Sequence, residues 1–335
     1  MDPQRKAIAV RESALPVERP ENDAAQLRVS MLINNIEKVI FGKREVVKLC
    51  VVGLLARGHI LIEDVPGIGK TTLAQGLARS LDCEFTRIQF TSDMLPADII
   101  GVSILNPRTN EFEFREGPIF ANVVLADEVN RTPPKTQSAL LEAMSEFHIS
   151  VEGKPRQLPK PFVVLATQNP IEHEGTYVLP EAQLDRFLLR VEIGYPPPDD
   201  ELRIMRRRDS LAALDELRPV LTAADVMELQ EASRDVHVDE SVAQYMLAIV
   251  HATREHEHVK LGVSPRGSLS FYEAAQAFAL VEGRDFVTPD DVKRMAIPVI
   301  SHRILIKSRG GNLAASSLER ARVVGDVLKR TAIPV

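Results

Sequence analysis

Five short apolar runs recur through the first 195 residues, and their order restricts the fold more than any other feature of the chain. They are HILIE at 59 to 63, FTRIQF at 85 to 90, VVLADE at 123 to 128, FVVLATQN at 162 to 169 and LLRVEI at 188 to 193. Helical stretches separate several of them, KTTLAQGLARSL after the first and KTQSALLEAMSEF after the third. Continuous apolar strands that alternate with helices belong in a largely parallel sheet covered on both faces, an α/β arrangement. Two connections are longer than such a sheet needs. VSIL and EFEFR flank the turn-rich NPRTN, and HISVEGKPRQLP carries Glu152-Gly153-Lys154 at its centre, so both read as inserted hairpins.

The alternation stops at Tyr195-Pro196-Pro197-Pro198, because proline removes backbone donors and holds the chain extended. We place a domain boundary there. Residues 29–195 are expected to form the αβα core with its two hairpins, and residues 196–335 a helical domain in which no strand is expected. TAADVMELQEASRDV, DESVAQYMLAIVHATREH, SPRGSLSFYEAAQAFALVEG and TPDDVKRMAIPVISHRI all carry helical periodicity, and Thr288 before Pro289 and Asp291 marks a helix start. Residues 1–28 show no sustained period and are expected to be a mobile extension.

The first strand runs into DVPGIGKTT, residues Asp64, Val65, Pro66, Gly67, Ile68, Gly69, Lys70, Thr71 and Thr72. A phosphate loop has Gly, four residues, then Gly-Lys-Ser/Thr, and here Asp64 stands at the first glycine. The strand, loop and helix context is correct. Gly67 and Gly69 let the backbone approach phosphate, Lys70 supplies charge and Thr71 a hydroxyl for Mg²⁺. A lysine in a first helical turn opposes the helix dipole unless an anion is bound. Asp64 lies at the loop's entry, where its side chain can point away from the phosphates.

VVLADE ends in adjacent acids. Asp127 is expected to hold Mg²⁺ through water, and Glu128 to polarise the attacking water. Asn169, at the end of the fourth strand, can position that water. In SPRGSL, Ser264 caps a helix that Pro265 begins, which puts Arg266 in a first turn where a bound phosphate would relieve the unfavourable dipole. Pro180 starts a short helix in LPEAQLDRF, and Arg186 falls near its end, where a cation suits the dipole and a structural role would suffice.

The net charge of −6 argues against a protein devoted to coating nucleic acid. Arg203, Arg206, Arg207 and Arg208 spread around a helix and are expected to pair with acids. Cys50 and Cys83 sit in apolar surroundings and suggest a reducing compartment. No run of about 18 apolar residues occurs, so a cytoplasmic location without membrane insertion is expected. His251, His256 and His258 do not stack on one helical face, and a solvated helix end is expected instead of a metal site.

GHILIEDVPGIGKTTLA, FANVVLADEVNRTPPKTQSALLEAMSE, VVLATQNPIEHEGTYVLPEAQLDRFLLRV and VSPRGSL, in that order, resemble the MoxR family of AAA+ ATPases over about residues 33 to 305. The resemblance implies an αβα sandwich with a five-stranded, mostly parallel sheet and an all-helical lid, assembled as a ring, commonly a hexamer. It implies ATP and Mg²⁺ at subunit boundaries. Lys70 and Thr71 match the Walker A residues, Asp127 and Glu128 the Walker B pair, Asn169 the first sensor and Arg186 the arginine finger. Arg266 matches the second sensor, expected to reach the γ-phosphate from the lid. The hairpins resemble inserts that face the ring axis. Val129 stands where isoleucine is frequent, and Asp64 where glycine is frequent. Partners with a von Willebrand factor A domain go with such proteins. Competing readings are a magnesium-chelatase-like subunit, a DNA-directed AAA+ motor and a small-molecule kinase; the kinase would need an acceptor pocket in place of the arginine finger and the long helical domain.

Overall fold

The computed structural model describes residues 20–169, 176–206, 210–307 and 313–334. The N-terminal helices α1 (Pro20–Ile36) and α2 (Arg44–Leu55) precede strand β1 (Ile60–Glu63), helix α3 (Lys70–Ser80) and β2 (Phe85–Gln89). A short helix α4 (Pro96–Ile100) leads into the hairpin β3 (Gly101–Asn106) and β4 (Glu111–Glu116). Next come β5 (Val123–Asp127), α5 (Pro134–Glu146), the second hairpin β6 (His148–Val151) and β7 (Lys154–Gln157), and β8 (Val163–Gln168). Helix α6 (Glu181–Leu184) and β9 (Leu189–Val191) complete the core. The C-terminal region holds α7 (Pro198–Arg206), α8 (Ser210–Glu216), α9 (Ala223–Arg234), α10 (Glu240–Glu255), β10 (Val259–Leu261), α11 (Pro265–Val281), α12 (Pro289–Ile300), β11 (Leu305–Ile306) and α13 (Leu313–Arg330).

The main sheet has the order β2-β5-β8-β1-β9, and every neighbouring pair is parallel. All five apolar runs therefore became its strands, and both hairpins formed as expected. Central strands β5 and β8 are buried along their whole length, which accounts for their unbroken apolar sequence. One face packs on α4, α5 and the second hairpin, through Leu61, Val124, Val164 and Phe187.

The other face belongs to a larger core that joins α1, α2 and α3 to the C-terminal helices, with Leu32, Val51, Leu77, Leu229, Phe271 and Val299 in one continuous cluster. The N-terminal boundary expected from sequence therefore moves. Helix α1 starts at Pro20, so residues 20–28 belong to the folded body and Arg28 reaches Glu228 on α9. Residues 1–19 of the expected extension lie outside the described residues. Ala25, Val29, Leu32, Ile33 and Ile36 are buried while Leu27 and Met31 are exposed, a mixed pattern that hid the start of α1.

The C-terminal region is helical but not free of strands. Val259–Leu261 and Leu305–Ile306 form an antiparallel pair, too short to show an alternating pattern. Thr288 and Ser264 cap α12 and α11 through side-chain oxygens, as their sequence context implied. Arg203 pairs with Asp200 at 2.9 Å, as expected for that arginine; Arg207 and Arg208 lie outside the described residues. His256 caps α10 and is buried, which corrects its reading as solvated, whereas His251 and His258 are exposed. Cys50 is fully buried and Cys83 is half-buried; burial pushes their thiols up, to about 12 and about 11. Among the described residues no helix is long and apolar enough to cross a membrane.

Candidate functional site

The loop after β1 puts Gly67 (φ 84°) and Gly69 (φ 94°) in the left-handed region, where glycine alone is unstrained. Gly69 occupies the cap position of α3, so the backbone N–H groups of Lys70 and its successors open toward the loop. Lys70 Nζ donates to the Asp64 carbonyl at 2.9 Å, which folds the side chain back over the loop. Asp64 does point away, as its position suggested. Its carboxylate accepts from Val65 N at 2.8 Å and from Gly194 N at 2.6 Å, tying the loop's entry to the segment after β9.

Beside the loop lies a cavity of about 390 Å³ lined by Ile40, Phe41, Ile68, Tyr195, Pro196 and Ile204. An apolar slot next to a phosphate loop suits a nucleotide base. Ile68 was named with the loop, whereas Ile40, Phe41, Tyr195, Pro196 and Ile204 were missed as site residues because they come from two distant segments without a nucleotide-binding motif.

Asp127 ends β5, and Glu128 follows with φ 59° and ψ 49°, a conformation that a non-glycine residue adopts rarely and at a cost. That turn lets two consecutive acids leave the strand on the same side, which alternation would forbid. Thr167 on β8 holds both: its hydroxyl donates to Asp127 Oδ1 at 2.6 Å and accepts from the Glu128 N–H at 2.9 Å. The nearby Asn169 is buried. Residues 170–175, which include the expected turn at Pro170, lie outside the described residues. Replacing the fully buried Thr167 by valine keeps its shape and orphans both partners. We expect a loss of about 1–3 kcal/mol in urea unfolding, with slower hydrolysis and retained nucleotide binding.

Asp127 and Thr71 offer hard oxygen donors, the set Mg²⁺ prefers, and the limited exposure of Asp127 suits a ligand that acts through water.

Arg186 and Arg266 lie elsewhere. They line one cleft of about 200 Å³ with Arg57, Gly58, His59 and Glu273. Gly58 and His59 precede β1, whereas the loop follows it, so the whole strand separates the cleft from Lys70. The expectation that Arg266 reaches the γ-phosphate of its own chain is not met here. The sequence could not show this, because the orientation of the helical region depends on the shared core with α1 and α2. Asp185 locks the arrangement: it accepts from Ser264 Oγ, the cap of α11, at 2.9 Å and from Arg303 Nε at 3.0 Å. Arg186 itself donates to the Leu141 carbonyl on α5.

His59 braces this cleft. Its Nε2 meets the Met144 carbonyl at 2.8 Å, and its Nδ1 accepts from Val164 N at 3.0 Å, which fixes a neutral ring. Burial, opposed by the Met144 contact and aided by Arg266, lowers its pKa from 6.5 to about 4. The unfolded chain therefore takes up this proton first, and stability falls as pH drops from 6.5 towards 4. The effect is about 3 kcal/mol, and His302 is lowered in the same direction, chiefly by burial. Urea midpoints between about pH 7 and pH 4 should fall less steeply in His59→Gln than in the parent chain.

The sheet order, the loop and the paired acids define an ATPase of the AAA+ class. Residues 59–189 match the family described as ATPase family associated with various cellular activities (AAA), and residues 251–324 match the AAA lid domain. Chaperone MoxR1 of Mycobacterium tuberculosis is 41% identical over 90% of this chain and 81% of its own. YeaC of Bacillus subtilis is 46% identical over 90% of this chain and 94% of its own. A crystal structure of an inferred ATPase from Cytophaga hutchinsonii is 35% identical, covers 93% of this chain and 97% of its own, and superposes with a TM-score of 0.84. The chain belongs to the MoxR family of AAA+ ATPases.

Proposed function

We propose that the protein is a Mg²⁺-dependent ATPase that works as a ring in the cytoplasm, remodelling protein complexes or assisting metal-cofactor maturation. Val65 to Thr72 bind the phosphates, with Lys70 neutralising them, while Asp64 anchors the loop's entry. Thr71 and Asp127 would hold Mg²⁺, which when bound offsets the charge of the phosphate oxygens. Glu128 polarises the attacking water and Asn169 positions it. Hydrolysis then rests on positioning and charge stabilisation, without a covalent intermediate.

The placement of Arg186 and Arg266 carries this reading. Two arginines share a cleft that their own chain's loop does not approach, and a second copy can bring its nucleotide there. Arg186 then acts as the finger and Arg266 as a sensor for the neighbouring subunit. This differs from a lid that swings on its own nucleotide, because α9, α11 and α12 are fixed by the same core as α1 and α2. Hexamers are the family habit, as are partners with a von Willebrand factor A domain, and the Mycobacterium relative is named a chaperone.

A Glu128→Gln variant in ATP should hold the ring on its client. We expect light scattering to report an assembly of several subunits and a pull-down to recover protein. Recovery of nucleic acid without protein would overturn the remodelling role, and a monomer with full activity would overturn the ring.

A further inference from the structure

Strand β2 contributes two side chains to the acid pair that no sequence motif marked. In register, Arg87 lies opposite Leu125 and Gln89 opposite Asp127, and residues two apart on a strand face the same way. Arg87 donates from Nε, at 3.2 Å, and from Nη2 to Asp127 Oδ2. Its Nη2 also reaches Gln89 Oε1 at 2.8 Å, and Gln89 Nε2 donates to Glu128 Oε2 at 2.9 Å. With Thr167 on the other oxygen, Asp127 has both carboxylate oxygens engaged. One hydrogen-bonded chain thus runs from Asp127 through Arg87 and Gln89 to Glu128.

We propose that Arg87 is a positioning residue that sets the Mg²⁺ demand of the site, its guanidinium neutralising Asp127 while Gln89 links it to Glu128. The inference rests on the assignment of Asp127 to the metal. A cation already paired with that carboxylate weakens its attraction for a second, doubly charged one. Mg²⁺ and ATP must therefore arrive against Arg87, and the side chain that yields is bonded to the one that holds Glu128. Metal arrival is thereby coupled to Glu128 through the Arg87 guanidinium and Gln89, while Arg131 Nε, 3.1 Å from the same Oε2, keeps a second hold on that carboxylate. Arg87 is partly exposed on an edge strand, so water screens its charge and the effect is moderate.

The test is a Mg²⁺ titration of the binding of a fluorescent ATP analogue to the full chain, read as anisotropy and independent of turnover. Two neutral variants, Arg87→Gln and Arg87→Met, should lower the Mg²⁺ concentration at half-saturation on the order of tenfold. Arg87→Lys keeps the charge and should stay near the parent value. Thermal melts without metal confirm that each variant is folded. An unchanged or raised Mg²⁺ demand in the neutral variants would overturn the proposal, as would a fall in Arg87→Lys equal to theirs. Binding by the parent chain that ignores Mg²⁺ altogether would instead remove Asp127 from the metal, and this inference with it.

Discussion

Arg186→Ala should bind ATP normally and hydrolyse it about 10³-fold or more slowly, the range over which arginine fingers act in phosphoryl transfer. Lys70→Ala should be equally inactive for the opposite reason, since it keeps the arginine and loses the nucleotide. Mixed together, the two inactive proteins should regain part of the parent rate, because an intact Arg186 on one subunit then faces an intact loop on the next. Arg266→Ala should behave as Arg186→Ala does, since both arginines line one cleft. Steady-state phosphate release from the mixtures is the measurement. No recovery in any ratio would mean that each chain serves its own nucleotide, contrary to the separation of the cleft from the loop by β1.

The second large effect concerns the loop itself. Lys70→Ala should weaken ATP binding about 100-fold or more, the worth of one charge-assisted contact of about 3 kcal/mol. Asp64→Gly restores the glycine usual at that position and should leave ATP affinity almost unchanged. It should nonetheless cost about 1–3 kcal/mol of stability, because the Gly194 N–H loses its acceptor. Calorimetric titration and urea unfolding separate the two outcomes. A loss of affinity in Asp64→Gly comparable to that in Lys70→Ala would show that the carboxylate faces the phosphates.

The main sheet was legible because burial on both faces leaves continuous apolar runs, and the loop because phosphate binding demands particular residues at fixed spacing. The acid pair was legible as a pair, but not the left-handed Glu128 that turns both acids to one side, since backbone conformation leaves no mark in a carboxylate's identity. The roles of Arg87, Gln89 and Thr167 around the acids were invisible for a related reason. Each acts across strands adjacent in space and far apart in sequence, in the register β2-β5-β8. Arg266 was recognised as a residue and misplaced as a contact, because capping by Ser264 says where a helix starts and nothing about which surface it meets.

The continuous core beneath α1, α2, α9, α11 and α12 bears on how this protein can be divided. Residue 195 marks a change in chain grammar without marking a seam. A fragment ending there would keep the loop and the acid pair but would bare the apolar surface on which the C-terminal helices sit, and it would lose Ser264 and Arg303 from around Asp185. The nucleotide-binding half is consequently not an autonomous module. Fusions, truncations and domain exchanges in this chain have to carry both halves together.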